Sequence, residues 1–149
     1  GFAPCTAEAV MEGVKQNEIE ISGKRAVVVG RSMVVGRPLA MLLLKENATV
    51  TICHTRTKDL KETCRNAEIL CAAAGKAKML DSEYVGDGAV VIDVGINVDE
   101  NGKLCGDVDY DTIQEKAQAA TPVPGGVGPM TRARLMKNIL AAAKCRAEK

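Results

Sequence analysis

The sequence predicts an α/β protein, a Rossmann-like, doubly wound and mainly parallel sheet with helices on both faces. Three observations carry that expectation. Apolar, β-branched runs at 25–29, 48–53, 68–73 and 89–94 read as strands, and near-continuous apolar character is the mark of strands buried on both faces. Helical patterns separate these runs at the spacing of βαβ crossovers. Polar and Gly-rich residues gather after the runs, at 30–36, 54–57, 74–76 and 95–97. In open parallel sheets, ligands sit outside the carboxyl ends of the strands.

The elements follow in order. Thr6 is placed as the N-cap of a first helix with Val10, Met11 and Val14 on one face. Residues 17–24 are polar, with Ser-Gly as a turn signal. The run Val27–Val28–Val29 ends the first strand and feeds Gly30, after which Leu39, Leu42 and Leu43 adopt helical spacing over 36–45. Residues 48–53 form a β-branched second strand, 58–66 a charged helix, 68–73 a buried strand, 81–85 a helical turn and 89–94 a fourth strand. A turn at 99–102 precedes a short strand at 104–108, and 109–120 reads as a helix. Residues 121–129, with three prolines and three glycines, are excluded from regular structure. Thr131 then caps a last helix carrying Leu135, Ile139, Leu140 and Ala143.

Bulk properties exclude several classes. The chain's 149 residues suit one domain with a sizeable core. A net charge of +1 and 2% aromatic residues argue against nucleic acid as a partner. The longest apolar run, 39–44, is too short to span a membrane, and no basic segment leads into an apolar one at the start. The six cysteines form no C-x-x-C pair, and the one histidine, His54, cannot make a metal site with Cys53 alone. No metal site is expected, and a reduced, cytoplasmic compartment fits this thiol usage.

The chemistry-bearing stretches start with Gly30-x-Ser32-x-x-x-Gly36. A buried strand delivers the backbone to a helix N-terminus, whose N–H groups and dipole suit a phosphate. Here Ser32 takes the middle glycine position of the G-x-G-x-x-G fingerprint, offering a hydroxyl instead of close backbone approach. Arg31 beside a helix N-terminus makes sense when an anion is held there; the alternative is a ligand-free strand–helix turn. An NAD site usually carries Asp or Glu at the end of the second strand. This chain has His54–Thr55–Arg56–Thr57–Lys58, with no carboxylate before Asp59. Hydroxyl and cationic groups favour the 2′-phosphate of NADP; the alternative is a solvated basic turn. His54 is read as structural, since no nucleophile is visibly paired with it. Asp93 and Asp107 are assigned to hydrogen bonding with loop backbone in preference to acid–base work. The segment 122–131, rich in Gly-Gly and Gly-Pro steps, allows close approach of a flat ligand, or serves as a rigid connection.

These motifs carry a family resemblance. Gly-Arg-Ser followed by Val-Gly-x-Pro at 30–38, Ala-Thr-Val-Thr-x-Cys-His at 48–54, Val-Ile-Asp-Val-Gly-Ile-Asn at 91–97, Gly-Asp-Val at 106–108 and Thr-Pro-Val-Pro-Gly-Gly-Val-Gly-Pro-Met-Thr at 121–131 occur in one order. From Pro4 to about Ala143 the chain resembles the cofactor domain of the bifunctional methylenetetrahydrofolate dehydrogenase/methenyltetrahydrofolate cyclohydrolase family.

The resemblance implies a linker and lead-in helix at 1–24 and an NAD(P)-binding Rossmann domain at 25–149 ending in a helix, with the catalytic domain outside this chain. It implies NADP contacts from Gly30, Arg31, Ser32 and Thr55, with Ile96 against the nicotinamide. Pro124, Gly125, Gly126, Val127 and Gly128 would line the folate side, and a homodimer is expected. No catalytic residue is assigned: the family's Tyr-x-x-x-Lys is missing, since Tyr84 and Tyr110 are followed four residues on by Gly88 and Gln114. The family's Pro-Cys-Thr-Pro-x-Gly linker reads here Pro4–Cys5–Thr6–Ala7–Glu8–Ala9, and alanines there favour helix. Other readings at this point are a stand-alone NADP-binding module and the cofactor domain of another Rossmann dehydrogenase, such as the shikimate type.

Overall fold

The structure, a computed structural model, describes residues 5–95 and 97–120. Its elements are α1 (Cys5–Gln16), β1 (Arg25–Val29), α2 (Gly36–Lys45), β2 (Thr49–Cys53), α3 (Leu60–Arg65), β3 (Ile69–Ala72), a single 3₁₀ turn (Ser82–Tyr84), β4 (Val90–Asp93), β5 (Asn97–Val98), β6 (Leu104–Cys105), α4 (Tyr110–Ile113) and β7 (Ala119–Ala120). The main sheet runs β2-β1-β3-β4-β7 with every pairing parallel. In register, Val28 lies between Ile52 and Cys71, and Leu70 pairs with Val91. The predicted fold class is the observed one.

Strand periodicity sends alternate side chains to opposite faces, and each face has its own core. Val28, Cys71 and Ile92 pack with Val10 and Val14 of α1 and Leu39 and Leu43 of α2. Val27, Val29, Leu70 and Val91 face the other way, against Cys64 of α3, Leu80, Val85 and Ile113. Complete burial of Leu39 and Leu43 contributes about 1.5–3 kcal/mol apiece by area. The helix spacing read from the sequence is therefore what seals α2 onto the sheet. Edge strand β2 is the exception to burial, with Thr49, Thr51 and Ile52 exposed.

Four expectations shift. Helix α1 begins at Cys5, so Thr6 lies inside it and not at its cap, and the alanine-substituted stretch continues the helix with Ala7 buried. Helix α3 is shorter than 58–66 because Asp59 adopts a left-handed backbone, φ 55°, which blocks helical continuation. Residues 97–98 pair antiparallel with 104–105 as a small hairpin, whereas the sequence suggested only the second strand. Residues 109–120 are not one helix: α4 is a single turn, the Gln118 N–H donates to Ala89 O, and β7 pairs with Val90 and Val91. The helix preference of an Ala-rich stretch is weak and yields to main-chain pairing along the open edge of β4. The predicted helix after Thr131 lies outside the described residues.

Candidate nucleotide-binding site

The strand order reverses between β1 and β3, so their following loops depart in opposite senses and leave a crevice at the carboxyl edge. The turn after β1 is tightly built. The Gly30 N–H donates to Cys53 O at 2.8 Å, and Ala73 N–H to Val29 O at 2.8 Å. Gly30 has φ 127°, and a Cβ there would lie 2.7 Å from the Ala73 carbonyl carbon. A Cβ on Gly36 would lie 2.5 Å from Gly30 O. Both glycines of the motif are thus required by backbone packing.

Ser32 takes a different first role from the one expected. Its Oγ accepts from Val35 N–H at 3.1 Å and Gly36 N–H at 3.2 Å, and its carbonyl accepts from Arg37 N–H at 2.9 Å. It caps the start of α2, satisfying donors that a ligand-free helix end leaves open; its own hydroxyl proton remains to be given. Arg37 braces the turn by donating from Nε to Arg31 O at 2.9 Å. Among the described residues, the backbone N–H groups of Arg31, Ser32, Met33 and Val34 find no protein acceptor. The available anion donors therefore lie in the turn before α2 and not in its first helical residues.

The crevice has a volume of about 350 Å³ and is lined by Gly30, Arg31 and Ser32 after β1, by His54, Thr55 and Thr57 after β2, and by Ala73, Ala74 and Lys76 after β3. Four of the residues singled out from sequence (Gly30, Arg31, Ser32 and Thr55) thus share one wall system. Ile96 and the loop 124–128 lie outside the described residues. No carboxylate lines the crevice among the described residues, while Arg31 and Lys76 supply positive charge. The sequence placed the stretch 74–76 at the ligand edge of the sheet but did not single out Lys76 as a contact. A larger recess of about 540 Å³ opens at the opposite edge of the sheet. There Glu68 is paired with Lys24 at 3.5 Å and Arg25 at 3.4 Å, and the space lies at the amino ends of the strands, away from the edge where parallel sheets bind ligands.

The turn after β2 closes on itself. His54 N–H donates to Thr57 Oγ1 at 2.8 Å, and His54 Nδ1 accepts from Arg56 N–H at 3.2 Å. His54 and Thr57 shape the turn and leave Thr55 exposed at its tip. Behind it, burial raises the Cys53 thiol pKa, opposed by its contact with Thr57. Burial pushes the thiols of Cys64 and Cys71 up to about 12; these are inert core groups.

The two buried carboxylates serve backbone, as the sequence reading assigned them. Asp93 accepts from Gly95 N–H at 2.9 Å, Asp107 N–H at 3.2 Å and Val108 N–H at 2.9 Å. Burial pushes its pKa up to about 7 against the lowering effect of those three donors. Asp107, fully buried, accepts from Ala74, Gly75 and Lys76 N–H at 2.6, 3.1 and 2.9 Å and from Asn97 Nδ2 at 2.9 Å. Among the described residues no group of three metal-ligating side chains converges, and no helix is long and apolar enough to cross a membrane.

Parallel strands ordered in this way, with a glycine-bounded turn and a cationic crevice where the order reverses, define a Rossmann-like nucleotide-binding domain. Within that class the chain belongs to the tetrahydrofolate dehydrogenase/cyclohydrolase NAD(P)-binding domain family, whose model matches residues 4–147. It is 58% identical over 144 residues to the bifunctional protein FolD of Agathobacter rectalis, covering 97% of this chain and 52% of that protein. The crystal structure of the bifunctional FolD enzyme, methylenetetrahydrofolate dehydrogenase/cyclohydrolase, from Campylobacter jejuni matches with a TM-score of 0.81 at 49% identity, covering 98% of this chain and 52% of that one. The Trypanosoma brucei methylenetetrahydrofolate dehydrogenase-cyclohydrolase, crystallised with NADP cofactor and inhibitor, matches with a TM-score of 0.77 at 42% identity, covering 99% and 52%. The chain spans about half the length of the curated relatives it matches.

Proposed function

We propose that this chain binds NADP as the cofactor-binding part of an enzyme that oxidises 5,10-methylenetetrahydrofolate to 5,10-methenyltetrahydrofolate and hydrolyses that product to 10-formyltetrahydrofolate. The observation that carries the reading is the meeting of the Gly30–Arg31–Ser32 turn and the acid-free turn bearing Thr55 in one crevice. The residues fit the cofactor. The glycine turn leaves backbone donors and Arg31 for phosphate, and Thr55 offers a hydroxyl without the carboxylate that would repel a 2′-phosphate. Bound there, NADP supplies the hydride acceptor; the protein supplies orientation and electrostatics.

In this reading Ile96 meets the nicotinamide, residues 124–128 form one wall of the folate cleft, and residues 25–149 make up the Rossmann domain after a lead-in at 1–24. The acid–base lysine belongs to a catalytic domain contributed by sequence outside this chain. The enzyme is placed in cytoplasmic one-carbon metabolism, where its 10-formyl product serves purine biosynthesis. It pairs with a second copy of itself, and the open edge of β2, with Thr51 and Ile52 exposed, is a face that pairing can cover. Separate calorimetric titrations of NADP and NAD into the chain test the cofactor assignment. Tighter binding of NADP is expected; equal or tighter binding of NAD refutes it.

A further inference from the structure

Resting on the NADP reading, we infer that Asp107 is a positioning residue that locks the loops after β3 and β4 into the shape of the cofactor crevice. Successive backbone N–H groups around a left-handed residue form a concavity that attracts anions. Ala74, Gly75 and Lys76 form such a concavity, with Gly75 at φ 72°. The Asp107 carboxylate fills it, Oδ2 accepting from Ala74 and Gly75 and Oδ1 from Lys76. A carboxylate of the protein itself thus occupies a nest that could otherwise attract a phosphate, leaving the donors of the 30–34 turn for the ligand.

The same carboxylate reaches the other loop. Oδ1 also accepts from Asn97 Nδ2 at 2.9 Å, and a Cβ on Gly95 would lie 2.5 Å from Asp107 Cγ. The loop leaving β4 is therefore packed directly onto the group that holds the loop leaving β3. Asp107 is itself held by its N–H on Asp93 Oδ1 at 3.2 Å and by its carbonyl, which accepts from Leu80 N–H at 2.9 Å. Ala73, Ala74 and Lys76 line the crevice, so the position of their backbone fixes its floor. Asp107 has no exposure and does not line the crevice; its action on a ligand runs through these loops alone.

The test compares NADP with adenosine 2′,5′-bisphosphate, which carries the adenosine and 2′-phosphate but lacks the nicotinamide half. Calorimetry on the chain and its Asp107→Asn variant is expected to show NADP weakened about tenfold or more, by loss of charge-assisted hydrogen bonds and loop alignment. The bisphosphate shares the crevice lined by residues 73–76 but lacks the nicotinamide half assigned to the loop after β4, so it is expected to weaken clearly less than NADP. In ligand-free protein, amide hydrogen exchange is expected to speed up at residues 74–76. Equal weakening of both ligands, or unchanged NADP affinity, overturns the inference. If Asp107→Asn does not fold, Asn97→Ala decides, since it keeps the carboxylate and removes one donor. An NADP loss of about threefold with bisphosphate unchanged supports positioning, and no loss overturns it. Failure of the unsubstituted chain to bind NADP is a separate result, which removes the cofactor reading and this inference with it.

Discussion

Substituting Gly30 by alanine should damage fold and site together, and the size of the damage follows from the geometry. The new Cβ would lie 2.7 Å from the Ala73 carbonyl carbon and 3.3 Å from Ala74 N. The first distance is about 1 Å inside ordinary carbon–carbon contact. The obstacle is backbone, tied by the Ala73 N–H to Val29 O, so no side chain can swing away. Crowding of this kind costs about 1–3 kcal/mol, and holding a non-glycine residue at φ 127° adds about 1–3 kcal/mol. A total of about 2–6 kcal/mol corresponds to a fall in Tm of roughly 4–24 °C at about 2–4 °C per kcal/mol for a domain near this size. Gly23→Ala is the control: its φ is 79° but nothing lies within 4 Å of the added Cβ, so only the conformational part remains, about 1–2 kcal/mol. Thermal unfolding followed by circular dichroism, with and without NADP, reads both effects. Gly30→Ala should also weaken NADP binding about tenfold or more, since relief of the clash separates the two loops that line the crevice. Equal Tm losses for the two variants, with NADP affinity retained in Gly30→Ala, would refute the close-approach argument.

Three further outcomes are expected. Ser32→Ala removes the acceptor for Val35 and Gly36 N–H and should cost about 1 kcal/mol, seen in urea unfolding as a lower midpoint at unchanged slope. Leu43→Ala, at a fully buried position, should cost about 2–5 kcal/mol in the same assay; a loss under about 1 kcal/mol would contradict the α2–sheet packing. Asp93, with its pKa pushed up to about 7 by burial, keeps in the folded chain a proton that the unfolded chain has released above its ordinary carboxylate pKa. Its contribution to stability is therefore greatest below about pH 4 and declines as pH rises through about 7, with a slope of at most about 1.4 kcal/mol per pH unit. The stability difference between wild type and Asp93→Asn should follow that decline, and a difference flat between about pH 4 and 8 would show that Asp93 is already ionised in the folded chain across that range.

Strands β1 and β4 were legible because burial on both faces leaves a continuous apolar signature, as in Val27–Val28–Val29 and Val90–Val91–Ile92. Helix α2 was legible because one face alone meets the sheet, which imposes helical spacing on Leu39 and Leu43. Strand β7 left no such trace. Its two alanines carry no strand preference, and their pairing exists only because β4 presents an open edge beside them. Likewise, Asp59 gives no local notice of its left-handed backbone. The site divides along the same line. Gly30, Arg31 and Ser32 stood out because a turn packed against its neighbour restricts residue type within a short window. Lys76 and Asp107 are 31 positions apart and meet through a hydrogen bond that no local pattern encodes.

That division bears on which backbone donors the crevice leaves open to an anion. The strand order β2-β1-β3 alone opens a gap, but a gap at a sheet edge exposes backbone donors on both sides and would accept an anion at either. Here the donors after β3 are consumed by Asp107 and those at the start of α2 by Ser32. Both are satisfied by oxygen atoms of the protein, at the cost of burying one carboxylate whose charge is met by four N–H donors. What remains at the gap are Arg31 and Ser32 after β1, whose N–H groups have no acceptor among the described residues, and Lys76 after β3. Under the proposed NADP reading, removal of competing donors would confine binding to one register, a form of selection against misplaced ligand. In the proposed reading the buried Asp107 carboxylate and the exposed Arg31 guanidinium act together, the first withdrawing a competing set of donors and the second marking where the phosphate would lie.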